Sequence, residues 1–343
     1  MSDDVPVPPN LPRTFLTGEL TASVRARLLA EGRLTQVRTG AFAIVDPNAP
    51  RWRRNRANGL GRCVAAARVL SRDHVFGHTS AALLHGCAYW RIDEKVHLFQ
   101  DGNPSPRHTK DLFRHVGVIP EPERTVVNGL PVTTLERTIL DCARILHPRD
   151  ALIVVDSALR ILVRPDREDR PGTDRRTAQV RDGLLERLEQ PDMRRGRRQA
   201  RALIALADPY AESAGESAVR WLALARGLPV PVCQCPVPAE DKTYYTDMAW
   251  YLNVTRSDGS ERLVTIHTEF DGLLKYLGAG PDAARVVSEE KVREDRIRAT
   301  GAEVVRVIWD DLSRPGRVFD RITQFLPVGS VHALRARAEL FRP

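Results

Sequence analysis

Lysine is scarce in this chain. Of 52 basic residues only five are lysines (Lys95, Lys110, Lys242, Lys275 and Lys291), so a lysine inside any motif needs a specific reason. Cysteine is scarce as well. Five scattered residues (Cys63, Cys87, Cys142, Cys233 and Cys235) are odd in number, and Cys233-Gln234-Cys235 is too tight for the usual zinc spacing, so reduced structural thiols are expected. His74 and His78 are four apart but lack the intervening glutamate of a zinc protease. No apolar run approaches the ~20 residues that a membrane span requires. The opening Met1-Ser2-Asp3-Asp4 also lacks the basic-then-apolar order of a signal peptide, so no membrane partner and a cytoplasmic location are expected. No internal repeat is visible.

What is present is length, a basic balance and one acidic motif. The 343 residues leave room for two or three domains, and the net charge of +8 favours polyanionic partners. Between Arg160 and Arg201 there are 13 arginines against 8 acidic residues. That stretch reads either as a phosphate-neutralising cluster or as a solvated linker.

The motif is Thr268-Glu269-Phe270-Asp271-Gly272-Leu273-Leu274-Lys275. It closes a β-branched run from Leu263, so a strand is expected there, with Gly272 turning the chain. Alternation puts Glu269 and Asp271 on one face, roughly 7 Å apart, where two carboxylates repel by about 2.4 kcal/mol at an effective dielectric near 20. Two sources of compensating charge suggest themselves: Lys275, and a divalent ion that also recruits Asp247 from a neighbouring strand. Mg²⁺ prefers such oxygen ligands and keeps waters, one of which can become a nucleophile; Mn²⁺ is the alternative ion. An ammonium, compact and with a shiftable pKa, suits orienting a water. Taken alone, E-x-D-G-x-x-K also reads as solvated edge residues paired with arginines.

The surrounding blocks favour the first reading. Glu212-Ser213-Ala214-Gly215-Glu216-Ser217 opens a helix, Tyr245-Thr246-Asp247 ends a strand segment, and Glu269-Phe270-Asp271-Gly272 precedes Lys275-Tyr276. Glu290-Lys291-Val292-Arg293-Glu294-Asp295 and Val304-Val305-Arg306-Val307-Ile308-Trp309 follow. In this order the blocks over 208–326 resemble the very-short-patch-repair-like branch of the PD-(D/E)xK nucleases. The resemblance implies that Asp247 and Glu269 bind metal and that Glu216 assists. Asp271 would complete or tune the site, and Lys275 would orient the attacking water. Lys291 and Arg293 would hold the scissile phosphate from a helix start. Asp271 occupies the position where the wider superfamily keeps its lysine.

Toward the N-terminus, 24–31 reads as a short amphipathic helix stopped by Gly32. Segments 34–37 and 41–45 flank Arg38-Thr39-Gly40 as a hairpin. Helix then basic hairpin is the ending of a winged helix-turn-helix, in which Arg25 and Arg27 would face a DNA groove while Arg33 and Arg38 grip phosphates. The wing residues 33–43, together with His78-Thr79-Ser80-Ala81-Ala82-Leu83-Leu84-His85-Gly86, 130–141 and 156–160, resemble the AbiEi-type antitoxins. That resemblance implies DNA binding by a winged helix followed by a small α/β domain. Asp141 and Asp156 are expected to pair with Arg137 and Arg160 at helical spacing.

The expected fold is thus mixed α/β: a winged helix over 13–60, a small α/β domain over 61–163, a basic linker with helices over 164–207, and a restriction-endonuclease-like mixed sheet flanked by helices over 208–327. Residues 165–177 are read as the interdomain linker. Within the last domain, helices are expected over 215–226, 288–300 and 315–325 and strands over 230–237, 243–252, 263–271 and 303–309. The expected function is DNA binding joined to Mg²⁺-dependent endonuclease or nickase activity, in a phage-defence or toxin-antitoxin setting. RNA ranks behind DNA as substrate, and a toxin partner and a homodimer stay open. The alternative is a non-catalytic DNA-binding regulator or antitoxin with a vestigial nuclease fold.

Overall fold

The computed structural model describes residues 8–102, 109–238, 243–255, 259–271 and 296–341. The chain divides into two units, one holding residues up to Ile145 together with Asp182–Arg195, the other Leu146–Arg181 and Gly196 onward. Both mix helices with sheet, as expected.

In the first unit, β1 (Thr14–Leu16) is followed by α1 (Ala22–Ala30), β2 (Leu34–Arg38) and β3 (Ala41–Ile44). The strands form an antiparallel sheet in the order β1-β3-β2. Thr21 caps α1 by accepting from the Val24 amide at 3.4 Å, and Gly40, at φ 73°, lets the chain reverse between β2 and β3. The expected helix-then-hairpin is therefore present. Ahead of α1, however, the described residues form a strand and a turn, and the hairpin is completed by β1 where a helix-turn-helix would have another helix.

After α2 (Arg51–Val69) come β4 (Val75–Phe76), α3 (His78–His85), β5 (Val96–Gln100), β6 (Leu112–Val116), β7 (Arg124–Val127), β8 (Leu130–Thr133) and α4 (Leu135–Ile145). The five strands make a mixed sheet in the order β6-β5-β4-β8-β7, packed through Leu60, Phe76, Leu84, Leu98 and Val132. Asp141 pairs with Arg137 at 3.0 Å as its spacing predicts, and Arg137 also reaches Glu123.

Three imidazoles gather over this sheet. His78, at φ 51°, is buried with its ring centroid 3.9 Å from that of His115 and 5.8 Å from that of His97. His97 Nδ1 lies 3.0 Å from His115 Nε2, and its Nε2 lies 3.0 Å from Asp93. Burial, the neighbouring imidazoles His115 and His97, and the cations Arg137 and Arg144 hold the His78 pKa well below the usual imidazole range.

The second unit contains α5 (Pro148–Val163), the start of α6 (Arg170–Leu188), α7 (Arg197–Leu206), α8 (Ala214–Ala225), β9 (Val232–Pro238), β10 (Thr243–Thr255), β11 (Glu261–Asp271), β12 (Glu303–Ile308), α9 (Pro315–Thr323) and α10 (Val328–Ala333). β9, β10 and β11 form an antiparallel meander, and β12 joins β11 in parallel, giving the order β12-β11-β10-β9. One face of the sheet presents Met248, Trp250, Ile266 and Val307 to Val219, Leu222, Val318 and Phe319 of α8 and α9. On the other face, Val237 and Val304 pack with Ile297, from the short helical stretch 296–299. On β12, alternation sends Val305 and Val307 to the first layer and Val304 to the second.

Two expectations change. Most of the stretch read as a linker, 165–177, is helical, because Asp169 Oδ1 accepts from the Gly172 amide at 2.9 Å and Pro171 sits in the first turn, where its missing N–H costs nothing. Asp156 pairs not with Arg160 but with Arg220 of α8, at 2.6 Å, and neither side chain has solvent exposure. Arg160 turns instead to Glu212 at 3.1 Å. α5 accordingly belongs with α8 in the second unit, although the sequence suggested that the first α/β domain runs to 163. All five cysteines are buried and free, and burial pushes the Cys63 and Cys87 thiols up to about 12. Among the described residues no helix is long and apolar enough to cross a membrane.

Asp156→Ala strands Arg220 in the interior and is expected to destabilise the protein by ~3–5 kcal/mol in denaturant unfolding; a loss below about 1 kcal/mol contradicts the pairing. For His78, the unfolded chain takes up a proton near pH 6.5 while the folded chain stays neutral to lower pH. Its stability contribution is therefore complete above about pH 6.5 and falls with decreasing pH by up to about 1.4 kcal/mol per unit until the depressed folded value is reached. His78→Asn, which tolerates the positive φ, should flatten that slope in urea titrations at pH 7.5 and 5.0. An unchanged slope refutes it.

Candidate functional site

The site is built around Phe270, at the end of β11. Its backbone N–H donates to Asp247 Oδ2 at 2.7 Å, so the Asp247 carboxylate is fixed against the segment that carries Glu269 and Asp271. The β10–β11 ladder agrees. The pairing of the two strands reaches Met248 and Thr268, and Asp247 and Glu269 are the residues just beyond that last pair. On its other side Asp247 meets an irregularity. Cys235 pairs with Thr246 and Cys233 with Met248, while Gln234, between the two cysteines, takes the left-handed conformation at φ 46°. Such a kink re-aims the residue opposite it.

α8 brings the third carboxylate. Ser213 caps the helix, its Oγ accepting from the Glu216 amide at 3.1 Å, while Glu216 Oε2 turns back to accept from the Glu212 amide at 2.9 Å. Gly215 allows the close approach: a Cβ there would stand 2.0 Å from Phe270 Cε1, well inside contact distance. Burial, and then the charge of Asp247, push the Glu216 carboxyl well above the usual carboxylate range.

Glu269 is also buried, and its partner in the parallel β11–β12 register is Arg306. Arg306 Nη1 lies 3.9 Å from Asp271 Oδ2. This guanidinium supplies positive charge beside Asp271, a role for which the sequence offered Lys275 and a divalent ion. Its signal was legible as the single charge inside Val304-Val305-Arg306-Val307-Ile308, but the parallel register that brings it to Asp271 was not. On the adjoining strands, His267 Nδ1 lies 2.7 Å from Thr246 Oγ1, and burial lowers the His267 pKa to about 4.

Asp247 is thus tied to Phe270, between Glu269 and Asp271, and its charge acts on Glu216 of α8 at the same end of the sheet. Lys275, Lys291 and Arg293 lie outside the described residues. Among the described residues no three His, Cys, Asp or Glu side chains are grouped closely enough to hold a metal ion by themselves. The donor chemistry nonetheless fits a hard cation. Mg²⁺ commonly takes one or two carboxylates and completes its shell with water. Asp247 and Glu269 would be that pair, with Glu216 close enough to feel the charge of Asp247.

The arginines expected to contact DNA from the N-terminal unit divide. Arg27 and Arg33 are exposed but share Glu31, at 3.8 and 3.1 Å. The Arg25 guanidinium lies 5.7 Å from the Phe42 ring centroid. Arg38 is largely buried in an ion pair with Asp111 at 2.8 Å, a contact that also holds the fold together. Several arginines of the 160–201 stretch are likewise committed. Arg170 and Arg181 donate to backbone carbonyls, and Arg167 and Arg187 meet carboxylates.

Gly215→Ala is expected to push α8 off Phe270 and cost about 1–3 kcal/mol by overpacking, read from thermal or urea unfolding. Unchanged stability means that the helix does not rest on the ring.

No family model matches the chain. It is 28% identical over 301 residues to the uncharacterized proteins MT2308 and Rv2248 of Mycobacterium tuberculosis, strains CDC 1551 and H37Rv, covering 86% of this chain and 93% of each relative. An alignment of that length runs through both units.

Proposed function

We propose that the chain is a Mg²⁺- or Mn²⁺-dependent endodeoxyribonuclease or nickase of the PD-(D/E)xK kind, with the N-terminal unit holding DNA. One observation carries the reading: the Phe270 amide fixes Asp247 beside Glu269 while the Phe270 ring receives Gly215, the neighbour of Glu216. Acidic groups from a helix and two strands are thereby drawn to one sheet end. The antiparallel meander followed by a parallel strand, with helices on both faces, supports the same reading.

In this proposal Asp247 and Glu269 hold the ion, and the Phe270 hydrogen bond keeps Asp247 in one orientation through the reaction. When bound, the ion supplies a Lewis acid and an activated water for phosphodiester hydrolysis. Arg306 offsets the charge of Asp271. Lys275 is assigned the orientation of the water, and Lys291 and Arg293 the scissile phosphate.

The test is cleavage of supercoiled plasmid and single-stranded DNA with either metal, with RNA alongside. Asp247→Ala and Glu269→Ala should each lower the rate at least 100-fold, about 2.7 kcal/mol of transition-state stabilisation, without loss of folding. Absence of cleavage by the wild type, or cleavage that survives both substitutions, overturns the proposal. A second reading, a DNA-binding regulator or antitoxin without catalysis, draws on Asp271 standing in the expected lysine position and pairing with Arg306. Operator binding with no heat of Mg²⁺ binding in calorimetry would favour it.

A further inference from the structure

α2 begins with Arg51-Trp52-Arg53-Arg54-Asn55-Arg56, four arginines in six residues around a tryptophan. Residues 51–55 are exposed, Trp52 keeping 47% of its surface open to solvent. Among the described residues no carboxylate pairs with any of the four arginines, whereas Arg27, Arg38 and Arg68 in the same unit find Glu31, Asp111 and Glu19. The arrangement does not favour the helix. Its first turn has no acidic residue, its N-cap, Pro50, makes no side-chain cap, and cations at the positive end of a helix dipole are disfavoured.

Beside these residues lies a surface hollow of about 330 Å³. Pro9, Pro12 and Leu60 give it an apolar lining, and Trp52, Arg53 and Arg56 are among the other residues around it. The Arg53 guanidinium lies 5.1 Å from the Trp52 ring centroid, and the buried Arg56 Nε has no acceptor among the described residues. A flat aromatic wall, an apolar lining and guanidinium donors suit a planar heterocycle that carries hydrogen-bond acceptors. Exposed cations around the rim suit the phosphates that such a base is strung on.

We propose that this surface binds single-stranded nucleic acid, with one unstacked base in the hollow against Trp52 and adjacent phosphates on Arg51, Arg53 and Arg54. A duplex keeps its base faces stacked and offers this surface only its backbone. The site belongs wholly to the first unit and does not depend on the activity of the carboxylates in the second.

Fluorescence anisotropy of a labelled oligothymidylate, with the full-length chain and EDTA present, tests the proposal apart from any cleavage. The single strand should bind more tightly than a duplex of matched length. Trp52→Ala should weaken binding about 5- to 150-fold, the usual effect of removing one base-stacking ring. Arg51→Gln with Arg54→Gln should lower the slope of log K against log salt by about 0.7 for each phosphate left without its arginine. Circular dichroism should show all variants folded, since the substituted side chains are exposed. Binding unaffected by these substitutions overturns the proposal. So does equal affinity for duplex with no loss in Trp52→Ala, or binding to anionic phospholipid vesicles but not to the oligonucleotide.

Discussion

The contact between Gly215 and the Phe270 ring is the constraint on which the acidic end of the second unit depends. A helix start can rest on a strand end only where no side chain separates them, and here the separation is one missing methyl group. With α8 seated, Glu216 lies under the charge of Asp247, and Asp247 is tied by the Phe270 amide to the strand that carries Glu269. One aromatic residue thus works through its ring and its backbone at once. The ring sets the distance between layers, and the amide sets the orientation of a carboxylate.

Behind that contact stands the buried pair of Asp156 and Arg220. Arg220 lies on α8 one turn beyond Glu216, donates to Leu206 O at 2.7 Å, and meets a carboxylate that also accepts from the Asp208 amide at 2.9 Å. A fully buried guanidinium is tolerated only when its donors are met in this way. The network fixes α8 along its axis while Gly215 fixes its approach to the sheet. Strain elsewhere is consistent with a site held in place, since Gln234 adopts a left-handed backbone opposite Asp247 at a cost of order 1 kcal/mol or more.

Arginine serves two purposes in the chain. Most arginines of the 160–201 stretch tie helices to carbonyls and carboxylates, and Arg38 and Arg137 do the same in the first unit. At the start of α2, although Arg54 donates to Pro47 O at 3.0 Å, no guanidinium pairs with a carboxylate among the described residues, and the group surrounds an exposed ring. Composition alone does not separate these uses, because a paired and an unpaired arginine contribute the same formal charge.

The sequence by itself determined the elements around the motif. Alternation over Leu263–Asp271, the turn-rich gap after Thr255 and the capping residues of α8 place each to within a few residues, because these are local preferences of backbone and solvent. It also determined that Glu269 and Asp271 need a compensating cation, and that Asp141 would find Arg137, since a helix turn fixes that spacing. Only the tertiary structure decided that Arg306 is a cation beside Asp271, that Asp156 meets a residue 64 positions away, and that Arg38 pairs with Asp111. These pairings arise from strand register and helix packing, which depend on every layer at once and leave no short-range spacing to read. The same reason hid the helix over 170–188: a capping Asp169 and a first-turn Pro171 look like linker composition until the chain beyond them is seen to continue as helix.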